Sequence, residues 1–240
     1  MITPYPDQDL DKKTQVRNMF NAISTNYDFV NHFCTLRIDF LWRKKAIRLL
    51  KKEKPESIID IATGTADFAI QATSLKPKKI IGVDIAENML EIGRKKIKRK
   101  KIDSIVQLQI GDAENLPFED NTFDAAIVAF GIRNFQNLEA GLQEVHRILK
   151  QKSTFIILEL SKPQNRLVRV VYNFYFKYIV SLIGRIFSKN KAAYTYLPNS
   201  VDVFPNGKAF IDIFQKAGFK QVRWISLSFG IASIYLGKKE

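Results

Sequence analysis

Cysteine and histidine are nearly absent from this chain of 240 residues, which has one cysteine and two histidines. A lone Cys34 excludes an internal disulfide framework and a cysteine-rich zinc site, and we interpret it as a packing residue. With only His32 and His146, a site of three histidines is excluded too, and we expect no bound metal. We interpret His146 as structural and keep His32 as a site candidate.

Acidic residues are also in the minority, because 24 Asp and Glu stand against 38 Lys and Arg and give a formal net charge of +14. Such an excess favours an anionic partner, but it does not choose between nucleic acid and an anionic membrane surface. No charged-then-apolar signal segment opens the chain, so we expect a cytosolic protein. The hydrophobic share of 46% excludes a disordered chain.

Short apolar segments alternate with helical patterns from Ser57 onward. Continuous runs rich in Ile and Val suit strands that are covered on both faces. The predicted strands are residues 57–62, 79–84, 105–110, 123–128, 154–160, 221–227 and 231–236, the last two forming an antiparallel pair. The predicted helices between them are residues 66–74, 86–101, 138–149 and 206–217. This alternation predicts an open, mostly parallel α/β sheet.

Two further segments are predicted to be helical. The residues before position 57 form helices with a break near 27–35. Residues 167–187 have about the length of a membrane span, but they contain Arg169, Lys177 and Arg185. Their polar residues gather in one stripe beside an apolar face, which predicts an amphipathic helix. The pattern alone favours packing over the sheet or the active site, while a surface that meets lipid or a lipid-like substrate stays the alternative.

A single glycine marks the end of the first predicted strand, in the segment DIATGTAD at 60–67. Gly64 lets the backbone turn and approach a ligand closely. The helix that follows offers free N–H groups to an anion, here the carboxylate of an amino-acid moiety. Dinucleotide-binding folds place a GxGxxG pattern at this point, so a nicotinamide site is disfavoured.

Acidic residues end the next two predicted strands. Asp84 closes the second strand and can accept both hydroxyls of a ribose. Asp112 follows the third strand and can accept from an adenine amino group, while the N–H of Ala113 donates to the ring. Each residue alone is more often a helix cap or a turn residue. Three consecutive strand ends, each with one adenosine contact, make a more specific pattern and predict an adenosine-containing cofactor.

These strand ends resemble those of class I S-adenosylmethionine-dependent methyltransferases. Along almost its whole length the chain resembles the ubiquinone/menaquinone biosynthesis C-methyltransferase family. The segments that carry this resemblance are YDFVN at 27–31 with WR at 42–43, FGIRN at 130–134, RILK at 147–150 with ELS at 159–161, YLPNS at 196–200 and FPNG at 204–207. The chain departs from the family at Asp39, where His is usual, and at Ala129, where Ser is usual, so neither role is carried over.

The resemblance implies a Rossmann-like class I methyltransferase fold, with a mostly parallel seven-stranded sheet, helices on both faces and an N-terminal helical lid. Residues 1–54 would form the lid region. Residues 55–240 would form the S-adenosylmethionine-binding domain, with a helical insertion at about 163–204. The implied cofactor is S-adenosyl-L-methionine, and the residues predicted to bind it are Asp60, Gly64, Thr65, Asp84, Ile85, Asp112 and Ala113.

The resemblance also implies the acceptor, an aromatic ring carbon of a prenylated quinol. A quinol hydroxyl that loses its proton pushes negative charge onto the ortho carbon, which then attacks the methyl group. Arg133 and Asn134 are predicted to hold the quinol oxygens, and Asp67 is predicted to be the acid/base partner of Arg133. Tyr27 and Asn31 are predicted to contact the substrate from the lid. An already activated methyl group needs neither a metal nor a covalent intermediate.

We expect demethylmenaquinol to be the substrate, with the benzoquinol precursor of ubiquinone as an alternative. An RNA methyltransferase is a more distant alternative that rests on net charge alone, and we expect no nucleic-acid partner. A membrane-resident substrate implies a cytoplasmic enzyme attached peripherally to anionic lipids through residues 167–187 and the basic run 43–54. A homodimer stays open.

Overall fold

Seven strands form one sheet in the computed structural model, which describes residues 2–175, 178 and 191–240. In chain order they are β1 (Ser57–Ile61), β2 (Lys79–Asp84), β3 (Val106–Ile110), β4 (Phe123–Ala129), β5 (Leu149–Leu160), β6 (Lys220–Leu227) and β7 (Ala232–Lys238). Their order across the sheet is β3-β2-β1-β4-β5-β7-β6. β1 to β5 are parallel, and β7 is antiparallel to β5 and β6. The predicted sheet and its closing antiparallel pair are confirmed.

Helices cover both faces of this sheet. They are α1 (Lys12–Cys34), α2 (Ile38–Leu50), α3 (Asp67–Ala72), α4 (Glu87–Lys100), α5 (Leu138–Ile148), α6 (Arg166–Phe174), α7 (Lys191–Val203) and α8 (Lys208–Lys216). One core unites Leu50 of α2, Ala69 of α3 and Ile97 of α4 with the sheet. A second core unites Leu142 of α5 and Phe214 of α8 with the opposite face. This two-faced arrangement is why the central strands read as continuous apolar runs.

The carboxyl ends of β1 to β4 lie at one edge of the sheet. β1 pairs with β2 on one side and with β4 on the other, so the strand order reverses direction at β1. Ligands of open α/β sheets bind at such a reversal, beyond the carboxyl ends of the strands. The topology therefore gathers the polar residues that the sequence places after separate strands.

The predicted break near residues 27–35 is wrong, because α1 continues through this segment to Cys34. The chain turns only after it, where Leu36 and Arg37 have φ of 49° and 61°. Asn and Asp residues usually favour turns by bonding to their own backbone. Here the side chain of Asp28 instead accepts a hydrogen bond from Thr65, so a tertiary contact replaces the local one.

The predicted amphipathic helix begins at Arg166 and is described as α6 to Phe174; the rest of residues 167–187, apart from 175 and 178, lies outside the described residues. The predicted packing over the active site is confirmed for part of α6, because Val168 and Tyr172 line a cavity beside the carboxyl ends of the strands, but it is wrong for most of the helix. Only Tyr172 is buried, whereas Leu167, Val170 and Phe174 are 79%, 63% and 59% exposed. Within the described part of the chain, no helix combines the length and hydropathy needed to span a bilayer.

Candidate active site

A cleft runs along the carboxyl ends of β1 to β4, and Lys13, Val16 and Phe20 of α1 contribute to its wall. Tyr27, Asp67 and Asn134 also line it. The remaining walls include every residue predicted to bind the cofactor: Asp60, Gly64, Thr65, Asp84, Ile85, Asp112 and Ala113. We call this site the strand-end cleft. The fold thus brings the predicted residues of the separate strand ends together.

Asp60 is the most deeply buried acid of the strand-end cleft, with 1% of its surface exposed. Its Oδ2 accepts hydrogen bonds from the Thr63 hydroxyl at 2.6 Å and the Ala69 N–H at 3.0 Å. Its Oδ1 has no hydrogen-bond partner among the described residues. Burial outweighs these bonds and raises the pKa of Asp60 to about 7. An additional donor at Oδ1 would therefore favour the carboxylate.

Asp84 fixes the glycine turn from the end of β2. Its Oδ2 accepts from the Gly64 N–H at 2.8 Å, and its Oδ1 accepts from the Ala86 N–H at 2.8 Å. Burial raises the pKa of Asp84 against these backbone bonds. Each carboxylate oxygen of Asp84 has a second lone pair, so Asp84 can also accept hydrogen bonds from ribose hydroxyls.

Lys13 of helix α1 contacts Asp112, the acidic residue that follows β3. Its ammonium lies 2.6 Å from Oδ2 of Asp112 and 3.1 Å from Oε2 of Glu114. The Lys13 N–H also donates to Oε1 of Gln136 at 3.0 Å, so the start of α1 is held at two loops. Asp112 keeps an oxygen that accepts from the Glu114 N–H at 2.9 Å. The predicted adenine contact therefore lies beneath the first turn of α1.

The strand-end cleft fits S-adenosylmethionine. Gly64 has φ of 55°, and a Cβ added there would meet no atom within 4 Å, so its backbone faces open space. Buried Oδ1 atoms of Asp60 and Asn134 have no partner among the described residues. The ammonium of an amino-acid moiety carries the donors that such acceptors need. Asp84 offers acceptors for ribose at the same edge.

A second cavity, of about 310 Å³, adjoins the strand-end cleft, and Phe20, Tyr27 and Phe130 line both. Asn31 and Arg133 belong to its wall as well. Most of the wall is apolar and comes from α1, α2, α6, α7 and the end of β5, including Val30, Trp42, Leu160, Val168 and Leu197. We call it the apolar cavity. It places an apolar molecule next to whatever the strand-end cleft holds.

Arg133 is the cation of the apolar cavity, and Glu159 holds it. The two side chains are 7% and 1% exposed, and Nη1 of Arg133 lies 2.9 Å from Oε1 of Glu159. The Arg133 N–H donates to Oε2 of the same carboxylate at 3.2 Å, and Nε donates to Oγ of Ser200 at 3.2 Å. Nη1 also contacts the carbonyl of Phe130. These contacts fix the guanidinium in one orientation.

The predicted pairing of Asp67 with Arg133 is wrong. Asp67 lies 3.2 Å from Nε2 of His32 and contacts the ammonium of Lys96. Asp67 begins α3 and faces α1 and α4, whereas Arg133 follows β4 and faces the end of β5. Burial opposes ionisation of Asp67, but the hydrogen bond from His32 and the charge of Lys96 outweigh it and lower its pKa.

His32 is held between two carboxylates. Its Nδ1 lies 2.9 Å from Oδ2 of Asp39, which is fully buried and also contacts Arg43. The Thr35 hydroxyl donates to the other oxygen of Asp39 at 2.8 Å. Burial lowers the pKa of His32, but the bonds to Asp39 and Asp67 prevail and raise it to about 9. Asp39, which stands where the family usually has His, thus stabilises the protonated imidazolium of His32 near the end of α1.

We expect His32 to titrate at about pH 9 and His146, whose burial lowers its pKa, to titrate below 6.5. Because the folded pKa of His32 is raised, its stabilising effect is complete below about pH 6.5 and is lost as the pH rises through 9. In Asp39→Asn the His32 midpoint should fall, because one carboxylate partner is gone. Imidazole ¹⁵N NMR measures both midpoints.

The two histidines provide an internal control for this titration. Asp39→Asn should leave the His146 midpoint unchanged, because the ring of His146 packs against Phe219 on the other side of the sheet. A wild-type midpoint near 6.5 for His32 would contradict the assignment of two carboxylate partners.

Asp28, His32 and Asp67 could hold a metal ion, since one ligand atom of each lies within 4.8 Å of the others. The ammonium of Lys96 already lies 2.9 Å from Asp28 and contacts Asp67. An ammonium has no lone pair and cannot bind a metal ion itself. A fixed ammonium supplies the positive charge that two neighbouring carboxylates need. We assign no metal to this cluster.

The sequence did not single out Glu159, Lys13, Lys96 or Asp28 as site residues. Two of them had a signal, since Glu159 stands in the ELS segment and Asp28 in the YDFVN segment that carry the resemblance. β4 and β5 pair with Ala129 opposite Leu158, so residues just beyond these positions meet. Lys13 and Lys96 act through the placement of α1 and α4, for which no motif existed.

The comparisons with known proteins agree with this geometry. The model of the ubiE/COQ5 methyltransferase family matches residues 8–239. The demethylmenaquinone methyltransferase of Bacteroides fragilis is 41% identical over 239 residues, which is 99% of this chain and 97% of the relative. The ubiquinone/menaquinone biosynthesis C-methyltransferase UbiE of Geotalea uraniireducens is 37% identical over 231 residues, covering 95% and 98%.

A solved S-adenosylmethionine-dependent methyltransferase from Thermotoga maritima has the same fold, with a TM-score of 0.63 and 24% identity, covering 93% of this chain and 99% of that one. The predicted Rossmann-like class I methyltransferase fold is thereby confirmed. The full-length match to the family model extends the agreement to the helices around the apolar cavity. The chain belongs to the ubiE/COQ5 methyltransferase family.

Proposed function

We propose that this protein transfers a methyl group from S-adenosylmethionine to a ring carbon of demethylmenaquinol. Relatives with about 40% identity over nearly the whole chain are demethylmenaquinone methyltransferases. The observation that carries the proposal is the apolar cavity, which adjoins the strand-end cleft and contains the fixed guanidinium of Arg133. A prenylated ring with oxygens needs both the apolar wall and the polar contact.

Each group of residues has a separate task. S-Adenosylmethionine, held by Asp60, Gly64 and Asp84, supplies an activated methyl group when bound. Tyr27 and Phe130 line both sites, so the cofactor and the acceptor ring would meet beside them. Holding two reactants in line removes much of the entropic barrier of a bimolecular step. The mostly apolar wall favours the prenylated acceptor over water at this position.

Arg133 activates the acceptor by its charge. A fixed cation beside a quinol hydroxyl lowers the pKa of that hydroxyl, so its proton passes to solvent at the mouth of the cavity, and the resulting oxyanion makes the ortho carbon nucleophilic. Once that carbon carries the methyl group, the hydrogen that it held leaves to solvent as a proton and the ring becomes aromatic again. Asn134 follows Arg133 but lines the strand-end cleft, so its buried oxygen, which has no partner among the described residues, lies with the cofactor and the predicted contact of Asn134 with the quinol stays a prediction. Both carboxylate oxygens of Glu159 already accept bonds from Arg133, so Glu159 orients the cation instead of removing the proton.

The test is methyl transfer from labelled S-adenosylmethionine to reduced short-prenyl acceptors. We expect transfer to the demethylated naphthoquinol, with the benzoquinol precursor of ubiquinone and bulk RNA as competing acceptors. Arg133→Gln should lose most of the transfer, and Arg94→Gln should retain it, because Arg94 is an exposed residue paired with Glu87. Transfer to RNA and to neither quinol would overturn the proposal.

The substrate class also supports attachment to an anionic membrane. Leu36 and Val171 line the apolar cavity and are both 70% exposed, so its mouth opens on an apolar surface. Leu41 of α2 is 64% exposed, and the exposed Lys44, Lys45 and Arg48 continue along that helix. Arg43 of the same basic run faces inward to Asp39 instead. Apolar side chains beside Lys and Arg suit the headgroup region of anionic lipids.

We expect the protein to float with phosphatidylcholine vesicles that contain phosphatidylglycerol and not with phosphatidylcholine alone. Leu167→Gln combined with Val170→Gln should weaken binding roughly tenfold, since both apolar side chains lose their burial in lipid. Ile110→Gln is the control, because Ile110 is 52% exposed at the end of β3, far from α6 in the sheet order.

Flotation that is absent, or that the double variant leaves unchanged, would contradict membrane attachment. The oligomeric state is measured by light scattering alongside flotation, because a second copy of the chain could cover the exposed apolar face of α6. A dimer that dissociates in the double variant would assign the exposed face of α6 to self-association instead.

A further inference from the structure

Tyr196 of α7 carries a hydroxyl that the protein itself does not use. The side chain is 3% exposed, and its Oη finds no hydrogen-bond partner in residues 2–175, 178 and 191–240. A buried hydroxyl without a partner destabilises a folded protein, and phenylalanine would fill the same space without that penalty. The hydroxyl therefore points to a partner that is not part of the chain.

The surroundings of Tyr196 place it beside the reacting end of the acceptor. Ser200 lies one turn further along α7 on the same face, and its Oγ accepts from Nε of Arg133 at 3.2 Å. Tyr196 and Arg133 both line the apolar cavity. They also both line a third cavity, together with Lys12 and Ser200. The phenol and the guanidinium thus form one polar region in an otherwise apolar wall.

A further polar atom of the same cavity lacks a partner. Nδ2 of Asn31 is buried and, among the described residues, unbonded. Asn31 lies on α1 and also lines the cavity. Two buried polar groups with unmet hydrogen bonds in one apolar cavity indicate a ligand that is apolar apart from oxygens at fixed positions.

We propose that Tyr196 is a substrate-binding residue whose hydroxyl bonds to a ring oxygen of the acceptor, alongside Arg133. The inference rests on the proposed function and adds a residue that fixes the rotation of the ring in the apolar cavity. One contact at Arg133 would leave the ring free to turn about it. A second contact at Tyr196 selects the orientation in which one ortho carbon faces the strand-end cleft.

Tyr196 acts as a neutral hydroxyl in this role. Burial raises its pKa to about 12, and the neighbouring charge of Arg133 offsets this only in part. A neutral phenol donates one hydrogen bond and accepts others, so it can pair with a quinol hydroxyl or its oxyanion. It removes no proton from the acceptor. Its contribution is therefore to position the ring and not to ionise it.

The experiment compares Tyr196→Phe with wild type on the reduced short-prenyl naphthoquinol. We expect KM for the quinol to rise about threefold to tenfold, the range of one lost neutral hydrogen bond. The affinity for S-adenosylmethionine, measured by calorimetry, should not change. The melting temperature of the ligand-free variant should stay the same or rise, because the lost hydroxyl had no partner in the described chain.

Tyr235→Phe is the matched control. Oη of Tyr235 accepts the Gly207 N–H at 2.7 Å in the core beneath α8, so this variant should melt lower and keep the wild-type KM. The two analogues of the quinol that lack one or the other ring oxygen give the specific readout. For the analogue that lacks the oxygen contacted by Tyr196, wild type and Tyr196→Phe should bind with equal affinity.

Wild-type activity with an unchanged KM in Tyr196→Phe would overturn the inference and leave the proposed function intact. A lower melting temperature for Tyr196→Phe would also overturn it, because the hydroxyl would then have a structural partner. Wild-type protein that methylates no quinol would overturn the proposed function first.

Discussion

Glu159→Gln should lower the melting temperature by about 6–12 °C and reduce kcat about 100-fold. The Arg133–Glu159 pair is buried, and removing one partner leaves the other charge uncompensated, which costs about 3 kcal/mol or more. Catalysis suffers separately, because Glu159 holds both the guanidinium and the backbone N–H of Arg133. Calorimetry and the quinol methylation assay measure the two effects.

A double replacement separates stability from catalysis at this pair. Arg133→Met combined with Glu159→Leu leaves no buried charge at these two positions. Much of the lost stability should therefore return, while turnover stays low. Asp120→Asn is the surface control: Asp120 pairs with Arg147 but its side chain is 67% exposed, and such pairs contribute about 0–1 kcal/mol. Wild-type melting and turnover in Glu159→Gln would contradict the role given to the pair.

Asp84→Asn should weaken S-adenosylmethionine binding about 100-fold, the loss expected for two charge-assisted hydrogen bonds. The carboxylate of Asp84 accepts from Gly64 and Ala86 through different oxygens. An amide replaces one acceptor with a donor that faces a backbone N–H, so the glycine turn must move. Ribose hydroxyls lose their anionic acceptor at the same time. Titration calorimetry measures the dissociation constant directly.

Asp124→Asn is the matched control for this measurement. Asp124 accepts from Ser57 at the amino end of β1, the opposite edge of the sheet from the strand-end cleft. Its replacement should change stability and leave cofactor affinity at the wild-type value. An Asp84→Asn protein that binds within threefold of wild type would place the ribose elsewhere.

The sequence by itself determined the sheet and the edge at which it binds its cofactor. Apolar runs such as 57–62 are local signals, and their length and composition are enough to identify buried strands. Parallel strands with crossovers have few allowed arrangements, so the residues after β1, β2 and β3 must meet at one edge. Gly64, Asp84 and Asp112 were therefore predictable as one site from the strand ends, and the family resemblance added Asp60.

Only the tertiary structure decided which charges pair. The sequence analysis paired Arg133 with Asp67, whereas the structure pairs it with Glu159 near the end of β5. The choice depends on which neighbour each residue faces: Glu159 ends the strand beside β4, while Asp67 turns toward α1 and α4. Linear spacing carries no information about that direction.

The helical cover shows the same division. Periodicity identified α6 as amphipathic, but it cannot tell which side a neighbour covers, and most apolar side chains of α6 are exposed. Likewise the sequence predicted a break near 27–35, whereas α1 continues through it with contacts such as Asp28 with Thr65. Secondary structure and the cofactor edge follow from short-range patterns, whereas ion pairs, exposed faces and the apolar cavity follow from how distant segments pack.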